Sequence, residues 1–355
     1  MIPYVIVYLL MIAAAVVLHR KKNGKKLYMI FFASIWIFLL GLRHPSMGID
    51  LGYDRSYGYL HAYREIGEYT VAETLTRPYM NFERGYIVLN KILYTICTNY
   101  RLLLIVCALI PMLSVSVWIY KNSVHPFLSS LVYLGLPCFI INFSTLRQVI
   151  ALSITLWAFE YIKKRKPIPF IAIVILAMFF HKSAVVFLFA YPIYWFNTKR
   201  SLQLVSLTIP VAIFLLKYQI FALLMRLTGG DTEPDQNGAK TLFIVLYLIY
   251  VYTVVFAKQK TALENGARNL FFVSVALQAM GGVYSGVLRV GYYFIIYAVL
   301  LLPEILENHR IAQNSDAKIN YAGMYALIAL CFGFHGFYLL KMSSWAMAVP
   351  YHFFI

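Results

Sequence analysis

The chain has 355 residues, of which 61% are hydrophobic and only 13% are charged. A soluble domain has no core large enough to bury that share of apolar side chains, so the composition excludes a soluble globular protein. The formal net charge is +17, and the cations cluster between apolar runs, as in loops that face anionic lipid. We therefore predict an all-α, polytopic integral membrane protein with the lipid bilayer, and no nucleic acid, as its partner.

Apolar runs recur along the whole chain, and a membrane span needs about 20 residues of this kind. We predict about twelve spans, at 2–18, 27–42, 102–119, 126–143, 146–162, 167–181, 183–196, 202–224, 241–257, 269–286, 288–303 and 320–340. The shorter run 86–98 contains Asn90 and Lys91, and we predict a re-entrant or interfacial segment there. Residues 1–355 are assigned to a single transmembrane domain.

Basic clusters between the apolar runs predict the orientation of the chain in the membrane. The positive-inside rule places the clusters at 19–26, 163–166, 197–200, 258–260 and 307–310 in the cytoplasm. Both termini, the long loop 43–85 and the smaller loop 226–240 then lie outside. Because basic residues follow the first apolar run rather than precede it, we predict a retained first span and no cleaved signal peptide.

The polar residues that stand out chemically all fall on this outer side. They are Arg43, Asp50, Asp54, Glu83, Arg147, Gln148, His181 and Arg289. An arginine in hydrocarbon costs several kcal/mol, so Arg147, about one turn inside its span, indicates a water-filled cavity. Interfacial snorkelling is the alternative for the arginines, and a helix N-terminal acid is the alternative for Glu83.

The stretch around His181 is informative because of its length. Residues 167–180 would form a helix of only about 21 Å, which is less than the roughly 30 Å of the hydrocarbon core. We therefore predict that the turn His181-Lys182-Ser183 lies at the floor of a cavity open to the outside. The alternative for His181 is a packing residue. Together with Arg147 and Arg289, it could bind an anion, because guanidinium groups match phosphate oxygens and stay charged.

Several common motifs are missing from the sequence. The sequence has no Walker A loop, no zinc signature, no nucleophile elbow and no dinucleotide-binding glycine pattern. These absences exclude the usual ATP-driven pumps and zinc proteases. The four cysteines are Cys97, Cys107, Cys138 and Cys331, and no pair has the spacing of a metal site.

Five short motifs make the chain resemble the EpsG-like branch of the Wzy-type polysaccharide polymerases. They are R…G.D…Y (Arg43, Gly48, Asp50, Tyr53), E.GY (Glu83, Gly85, Tyr86), LRQ.IA.SI (Arg147, Gln148), FFHKSA (His181, Ser183) and R…YYF (Arg289, Tyr292, Tyr293). The resemblance covers roughly residues 30–300. It implies a bacterial inner-membrane glycosyltransferase of GT-C-like architecture. Such an enzyme joins oligosaccharide units carried on undecaprenyl pyrophosphate, at the periplasmic face, and a chain-length regulator is a further expected partner.

For that reaction the site residues take specific roles. Arg147 and Arg289, and then Arg43, are predicted to bind the leaving pyrophosphate, because fixed cations stabilise the charge that develops on it. No cofactor and no metal are expected, since arginines can replace the metal. The general base is predicted among the acids and the histidine: Asp50 first, His181 second, with Glu83 and Asp54 as further candidates. Contacts with sugar or lipid are predicted for Gln148, Tyr53, Tyr292 and Tyr293.

Three other functions remain open on the sequence alone. A flippase or transporter of lipid-linked oligosaccharide needs charges along a path through the whole bilayer, whereas only Lys217 is central here. A glycan O-acyltransferase usually has a His-Arg pair on the inner side, and His19-Arg20 fits a plain positive flank better. An O-antigen ligase shares the donor chemistry and differs only in the acceptor.

Overall fold

The computed structural model describes residues 1–53, 55–228, 233–234, 240–256, 261–312 and 321–354. The chain forms two compact helical units, unit 1 with residues Met1–Val185 and Ala322–Ile355, and unit 2 with residues Val186–Tyr321. The predicted all-α class is confirmed. Assignment of the whole chain to one transmembrane domain stays a prediction.

Unit 1 contains the first ten α-helices. They are α1 (Ile2–Leu18), α2 (Gly24–Gly41), α3 (Tyr59–Gly67), α4 (Val71–Thr76), α5 (Arg84–Ile96), α6 (Arg101–Asn122), α7 (Pro126–Leu134), α8 (Pro137–Ile140), α9 (Leu146–Lys163) and α10 (Pro167–Met178). Short 3₁₀ turns lie at 49–51 and 141–143, and a third follows α10 at 182–189.

Among the residues that the structure describes, unit 2 contains seven further helices, and the chain then returns to unit 1. The seven are α11 (Ala190–Trp195), α12 (Arg200–Ser206), α13 (Thr208–Thr228), α14 (Lys240–Val255), α15 (Ala262–Gln278), α16 (Ser285–Ile295) and α17 (Ala298–Ala312). The last helix, α18 (Tyr321–Met342), belongs to unit 1.

Five helical stretches of the described residues are long and apolar enough to cross a membrane. They are Gly24–Gly41, Arg101–Asn122, Arg200–Leu227, Gly286–Asn308 and Gly323–Met342. This confirms a helical, multi-pass membrane protein but does not establish twelve spans. Three further apolar helices, α1, α10 and α14, have only 10–17 residues.

The predicted span 126–143 is broken in the structure. Its two halves, Pro126–Leu134 and Pro137–Phe143, meet at an angle of 72°. Leu136 between them is extended, and Pro137 starts the second half without an amide hydrogen to donate. The backbone oxygen of Phe332 on α18 lies 2.6 Å from where a Cβ on Gly135 would stand, so a neighbouring helix occupies the space at the break.

Helix ends predicted on the same side of the membrane meet within unit 1. Lys25 Nζ donates to the carbonyl oxygen of Val124 at 3.1 Å, and Asn122 donates to Glu160 at 3.2 Å. All four residues fall on the predicted cytoplasmic side. The grouping agrees with the predicted topology, and the absolute orientation stays a prediction.

The opposite side of unit 1 is closed by the C-terminal tail, residues 343–354. The tail binds α1, α2 and the loop after α2 through backbone and tyrosine hydrogen bonds. These are Tyr4 OH to Ala348 O (2.7 Å), Tyr351 OH to Leu39 O (2.7 Å), Phe354 N to Leu42 O (2.9 Å), His44 N to His352 O (2.8 Å) and Ile49 N to Trp345 O (2.9 Å). An isolated antiparallel bridge joins Arg43 to Phe353. The tail therefore fixes the loop that carries Asp50.

The short run predicted to be re-entrant or interfacial forms α5, a helix of 13 residues. It packs against α3 and α4. Arg84 at its start donates to the carbonyl oxygens of Thr74 (3.0 Å), Thr76 (3.3 Å) and Arg77 (2.8 Å). One guanidinium thus satisfies three carbonyl oxygens at the end of α4. Residues 59–96 pack together as a small layer of three helices.

Candidate functional site

The loop after α2 is held against the segment that precedes α9. Gly48 has a positive φ of 119°, and a Cβ there would stand 1.9 Å from the carbonyl oxygen of Phe143, so only glycine permits this approach. Two residues later the backbone N–H of Asp50 donates to Ser144 Oγ at 3.1 Å. The side chain of Asp50 is exposed. The loop therefore delivers an accessible carboxylate close to the start of α9.

Arg43 has a structural role that differs from the predicted one. Its guanidinium is 1% exposed and donates to the carbonyl oxygens of Leu40 (2.9 Å), Met47 (3.2 Å) and Phe143 (3.1 Å). Burial lowers the pKa of Arg43 to about 10. Its donors already serve three backbone acceptors, so Arg43 holds the loop in place as a clamp. This arrangement argues against its predicted role as a pyrophosphate ligand.

Glu83 links two other segments. It is the N-cap residue of α5, but its side chain makes no capping hydrogen bond. Instead, Oε2 accepts from Arg147 Nη1 at 2.5 Å, and Oε1 accepts from the backbone N–H of Lys182 at 3.0 Å. The carboxylate therefore ties the start of α5 both to α9 and to the turn after α10. Its partners make Glu83 a poor general base, because the proton-accepting oxygens are occupied.

The Arg147 side chain is 13% exposed and is held on several sides. Nη1 also donates to Asn81 O at 2.8 Å, and the guanidinium carbon lies 4.3 Å from the centroid of the Phe82 ring. Nη2 reaches Asn81 Oδ1 only at 3.4 Å, and Nε is a buried donor without a hydrogen-bond partner. Since Nη2 has only this long contact, an oxyanion that reaches it would complete the hydrogen bonding of this arginine.

Tyr59 connects Arg147 with the loop that carries Asp50. Its ring is buried, and burial raises the pKa of the Tyr59 phenol, while Arg147 acts to lower it and Asp50 to raise it. The same phenol interacts with the guanidinium of Arg147. Tyr59 therefore lies within electrostatic reach of both Arg147 and Asp50.

His181 has an oriented imidazole. The backbone N–H of Ser183 donates to His181 Nδ1 at 3.3 Å, and Ser183 Oγ lies 2.7 Å from the same nitrogen. Since an N–H can only donate, Nδ1 is an acceptor, and the neutral ring carries its hydrogen on Nε2. This tautomer suits a donor to an anion better than a base, which favours Asp50 over His181 as the base.

The turn around His181 reaches the rest of the site through a close backbone contact. The N–H of Gly85 donates to the carbonyl oxygen of Phe179 at 2.8 Å. A Cβ on Gly85 would stand 2.7 Å from that oxygen, a distance real Cβ atoms do not show. A glycine at this position is therefore what lets α5 approach the end of α10 and bring Glu83 to Lys182.

The remaining predicted residues have separate locations. Gln148 is 1% exposed, so its side chain offers little surface to a sugar. Arg289, Tyr292 and Tyr293 lie on α16 of unit 2; Arg289 is exposed and Tyr293 is buried. The convergence of Arg289 with Arg147 stays a prediction. Asp54 lies outside the described residues.

Sequence reasoning missed Tyr59, Asn81 and the Lys182 backbone as parts of this site. Asn81 and Phe82 directly precede Glu83, so an aromatic ring and an amide beside an acid were a visible signal. Tyr59 had no such signal, because tyrosines are frequent throughout the chain.

Within the described ranges, no group of three or more His, Cys, Asp or Glu side chains could hold a metal ion. Metal independence of the reaction stays a prediction.

Comparison with known protein families identifies the family of this chain. A family model described as the EpsG family matches residues 25–353, which is nearly the whole chain. Neither the comparison with curated proteins nor that with solved structures gives a match.

Proposed function

Because this chain belongs to the EpsG family, a family of Wzy-like polymerases, we propose that it polymerises oligosaccharide units donated by undecaprenyl pyrophosphate. The family supports a polysaccharide polymerase-type membrane protein, and the donor, the face of the membrane and the residue roles are our proposal. The single observation that carries the roles is the geometry of Arg147, a held cation with one incompletely used edge.

The proposed step is a glycosyl transfer. The acceptor hydroxyl oxygen forms a bond to the anomeric carbon of the donor sugar, and its proton passes to Asp50. The bond from that carbon to the pyrophosphate oxygen breaks, and lipid pyrophosphate leaves with the electron pair. Arg147 binds the negative charge that grows on the leaving group, a contribution of a few kcal/mol in comparable sites.

Other residues support this step in our proposal. His181 donates from Nε2 to a phosphate oxygen, and Arg289 keeps its predicted role as a second pyrophosphate ligand. Tyr53 and Tyr292 contact the sugar or the lipid. With two fixed guanidinium groups the reaction needs no metal ion.

The setting of the enzyme completes the proposal. It is a multi-pass protein of the bacterial inner membrane, with about twelve spans, a GT-C-like architecture and both termini outside. Its site then faces the periplasm, where lipid-linked units are joined. A chain-length regulator is a further proposed partner.

Substitution of the two arginines tests the leaving-group assignment. We expect Arg147→Ala and Arg289→Ala each to lower the condensation rate by about 10²-fold or more. Arg147→Lys keeps the charge but loses the flat two-donor edge, so it recovers only part of the rate. Arg77→Ala is the matched control, because Arg77 forms an exposed ion pair with Glu73 at 3.1 Å.

The readouts are polymer length and the accumulated lipid-linked single units in cells lacking the native gene product. Normal polymer with alanine at both positions would overturn the pyrophosphate assignment. Single units trapped on the cytoplasmic leaflet would support a flippase instead.

The base is tested separately. Asp50→Asn is expected to slow condensation by about 10²-fold or more, while binding of the lipid-linked donor persists. His181→Gln should cost less. The opposite order of the two effects would make His181 the base.

A further inference from the structure

Six side chains beside the candidate site form a continuous surface of rings and cations, which we call the aromatic patch. They come from the loop after α2, from α3, from the start of α6 and from the C-terminal tail: His44, Tyr53, Arg64, Tyr100, Arg101 and Phe354. All belong to unit 1 and to the side of the membrane that is predicted to be outside. Among these six residues, the proposed step gives a role only to Tyr53.

Ring contacts connect the aromatic patch from one end to the other. The centroids of His44 and Tyr53 lie 5.0 Å apart, those of His44 and Phe354 lie 6.4 Å apart, and those of Tyr100 and Phe354 lie 5.8 Å apart. Tyr53 also influences Tyr100: burial raises the pKa of the Tyr100 phenol, and Tyr53 adds to that rise. The rings are therefore one cluster built from segments distant in sequence.

Two arginines line the aromatic patch without an acidic partner. The guanidinium carbon of Arg101 lies 3.6 Å from the centroid of Phe354, and that of Arg64 lies 5.8 Å from the centroid of Tyr100. Among the described residues, neither arginine forms an ion pair. In addition, Arg101 Nε is a buried donor with no hydrogen-bond partner. Because neither side chain donates to an acceptor among the described residues, both guanidinium groups keep donors for a ligand that supplies oxygen atoms.

The combination of rings and polar rims points to carbohydrate. A sugar ring presents a face of C–H groups and a rim of hydroxyls, so it stacks on an aromatic face while neighbouring donors bind its oxygens. Tyr53 is 47% exposed and offers such a face. Aromatic belts for lipid headgroups consist of residues at the ends of spans, whereas Tyr53 lies in a shaped loop and is braced by His44.

We propose that the aromatic patch binds the growing polysaccharide next to the site where units are joined. The inference rests on the proposed function, since it takes the product of that reaction as its ligand. Holding the chain beside the site raises its effective concentration there, so that it re-enters the reaction rather than diffusing away. The patch therefore acts on product length and leaves the chemistry of each linkage to the Arg147 region.

The first experiment compares chain length with the rate of the first linkage. We expect Tyr53→Ala and Arg101→Gln to shorten the polymer, because each lost stacking or donor contact weakens chain binding about 3- to 10-fold. Formation of the first two-unit product should stay within about twofold of wild type in Arg101→Gln, since Arg101 takes no part in the proposed step. Tyr53→Phe, which keeps the ring, should restore most of the length.

Tyr120 provides the matched control. Its exposed fraction is 46%, nearly the same as that of Tyr53. Tyr120 lies at the end of α6 opposite to Arg101, on the predicted cytoplasmic side. Tyr120→Ala should leave polymer length unchanged. Normal length in the Tyr53 and Arg101 variants, or an equal loss in Tyr120→Ala, would overturn the proposal. If the wild-type protein makes no polymer at all, the proposed function fails instead, which separates the two failures.

The second experiment measures binding directly. The protein in nanodiscs of neutral lipid is titrated with oligomers cut from the polysaccharide of the parent cells, and the dissociation constant is measured by calorimetry. A dissociation constant about 3- to 10-fold higher in Tyr53→Ala and Arg101→Gln supports the patch as the site. Equal binding in all variants overturns it. Variants that lose only affinity for anionic lipid, measured in a second set of nanodiscs, would assign the patch to headgroups and likewise overturn it.

Discussion

Arg147 donates through Nη1 to Glu83 Oε2 at 2.5 Å, and this pair joins residues that are 64 positions apart in the chain. The side chains of Arg147 and Glu83 are 13% and 7% exposed, so the pair is largely shielded from solvent. Both carboxylate oxygens of Glu83 already accept hydrogen bonds, one from Arg147 and one from the backbone N–H of Lys182. We conclude that Glu83 positions Arg147 and does not accept the proton of the acceptor hydroxyl.

The first prediction concerns the coupling of this pair. Glu83→Gln should lower activity by releasing Arg147, and the double variant Glu83→Gln with Arg147→Ala should be no less active than Arg147→Ala alone. The reason is that Glu83 acts through Arg147, so its contribution disappears with the arginine. In thermal unfolding in detergent, we expect a coupling free energy of about 0.5–3 kcal/mol between the two residues.

The exposed pair Glu73–Arg77, with an N–O distance of 3.1 Å, is the control for that cycle and should give a coupling below about 1 kcal/mol. If the activity losses of Glu83→Gln and Arg147→Ala multiply, Glu83 has a separate chemical role and the positioning argument fails.

A second prediction follows from the close approach at Gly85. Gly85→Ala places a Cβ 2.7 Å from Phe179 O, so the start of α5 must move and carry Glu83 away from Lys182. We expect at least a 10-fold loss of polymer synthesis, since small displacements of positioning groups are costly in rate. Gly333→Ala is the control, because the nearest atom to its new Cβ is 4.0 Å away. Wild-type synthesis by Gly85→Ala at equal protein level would contradict the arrangement.

Arg43 gives a third prediction, about stability rather than chemistry. Arg43→Met leaves three carbonyl acceptors without their donor in a buried place, which should cost about 2–5 kcal/mol. The measurement is the unfolding midpoint in detergent, together with the yield of folded protein. Arg55→Met is the control, because Arg55 is exposed and its side chain donates to Tyr57 OH. An Arg43→Met protein with a normal midpoint but no activity would return Arg43 to the list of ligands.

The C-terminal tail gives a fourth prediction. Deletion of residues 345–355 removes the hydrogen bonds to His44, Ile49 and Leu42, so the loop after α2 should open more often. Limited trypsin digestion should then cut faster at Arg55, and polymer synthesis should fall. Tyr351→Phe removes a single hydrogen bond, worth about 0.5–1.5 kcal/mol, and should accelerate cleavage only slightly. Identical cleavage rates in the deletion variant and the wild type would show that the loop keeps its conformation without the tail.

Much of the helical architecture could be predicted because apolar length is a strong signal. The predicted spans 27–42 and 102–119 correspond to the observed helices Gly24–Gly41 and Arg101–Asn122. The break at Pro137 could not be predicted in the same way. Pro111 lies inside the continuous helix α6, so the presence of a proline does not by itself predict a break in a helix. The difference lies in the contact of Gly135 with α18, which sequence spacing does not reveal.

The site was predictable as a region but not as a set of contacts. The position of an arginine inside a predicted span is the signal for Arg147, whereas its partner Glu83 comes from a segment that only the fold brings near. Arg43 shows the opposite outcome. From its position at the outer end of a span, an arginine can equally well bind a ligand, lie at the membrane interface or hold a loop in place. The path of the loop through Gly48 brings the carbonyl oxygens to Arg43 and gives it the last of these roles.

The hydrogen bonds of the C-terminal tail also constrain the order of assembly during translation. Tyr351 follows Leu39 by 312 positions, and a ribosome adds about 5–20 residues per second. The loop after α2 therefore waits roughly 15–60 s for its partner, long after its neighbouring helices have been inserted. An incompletely synthesised chain can enter the membrane, but the carboxylate of Asp50 acquires its fixed surroundings only once the tail has been made.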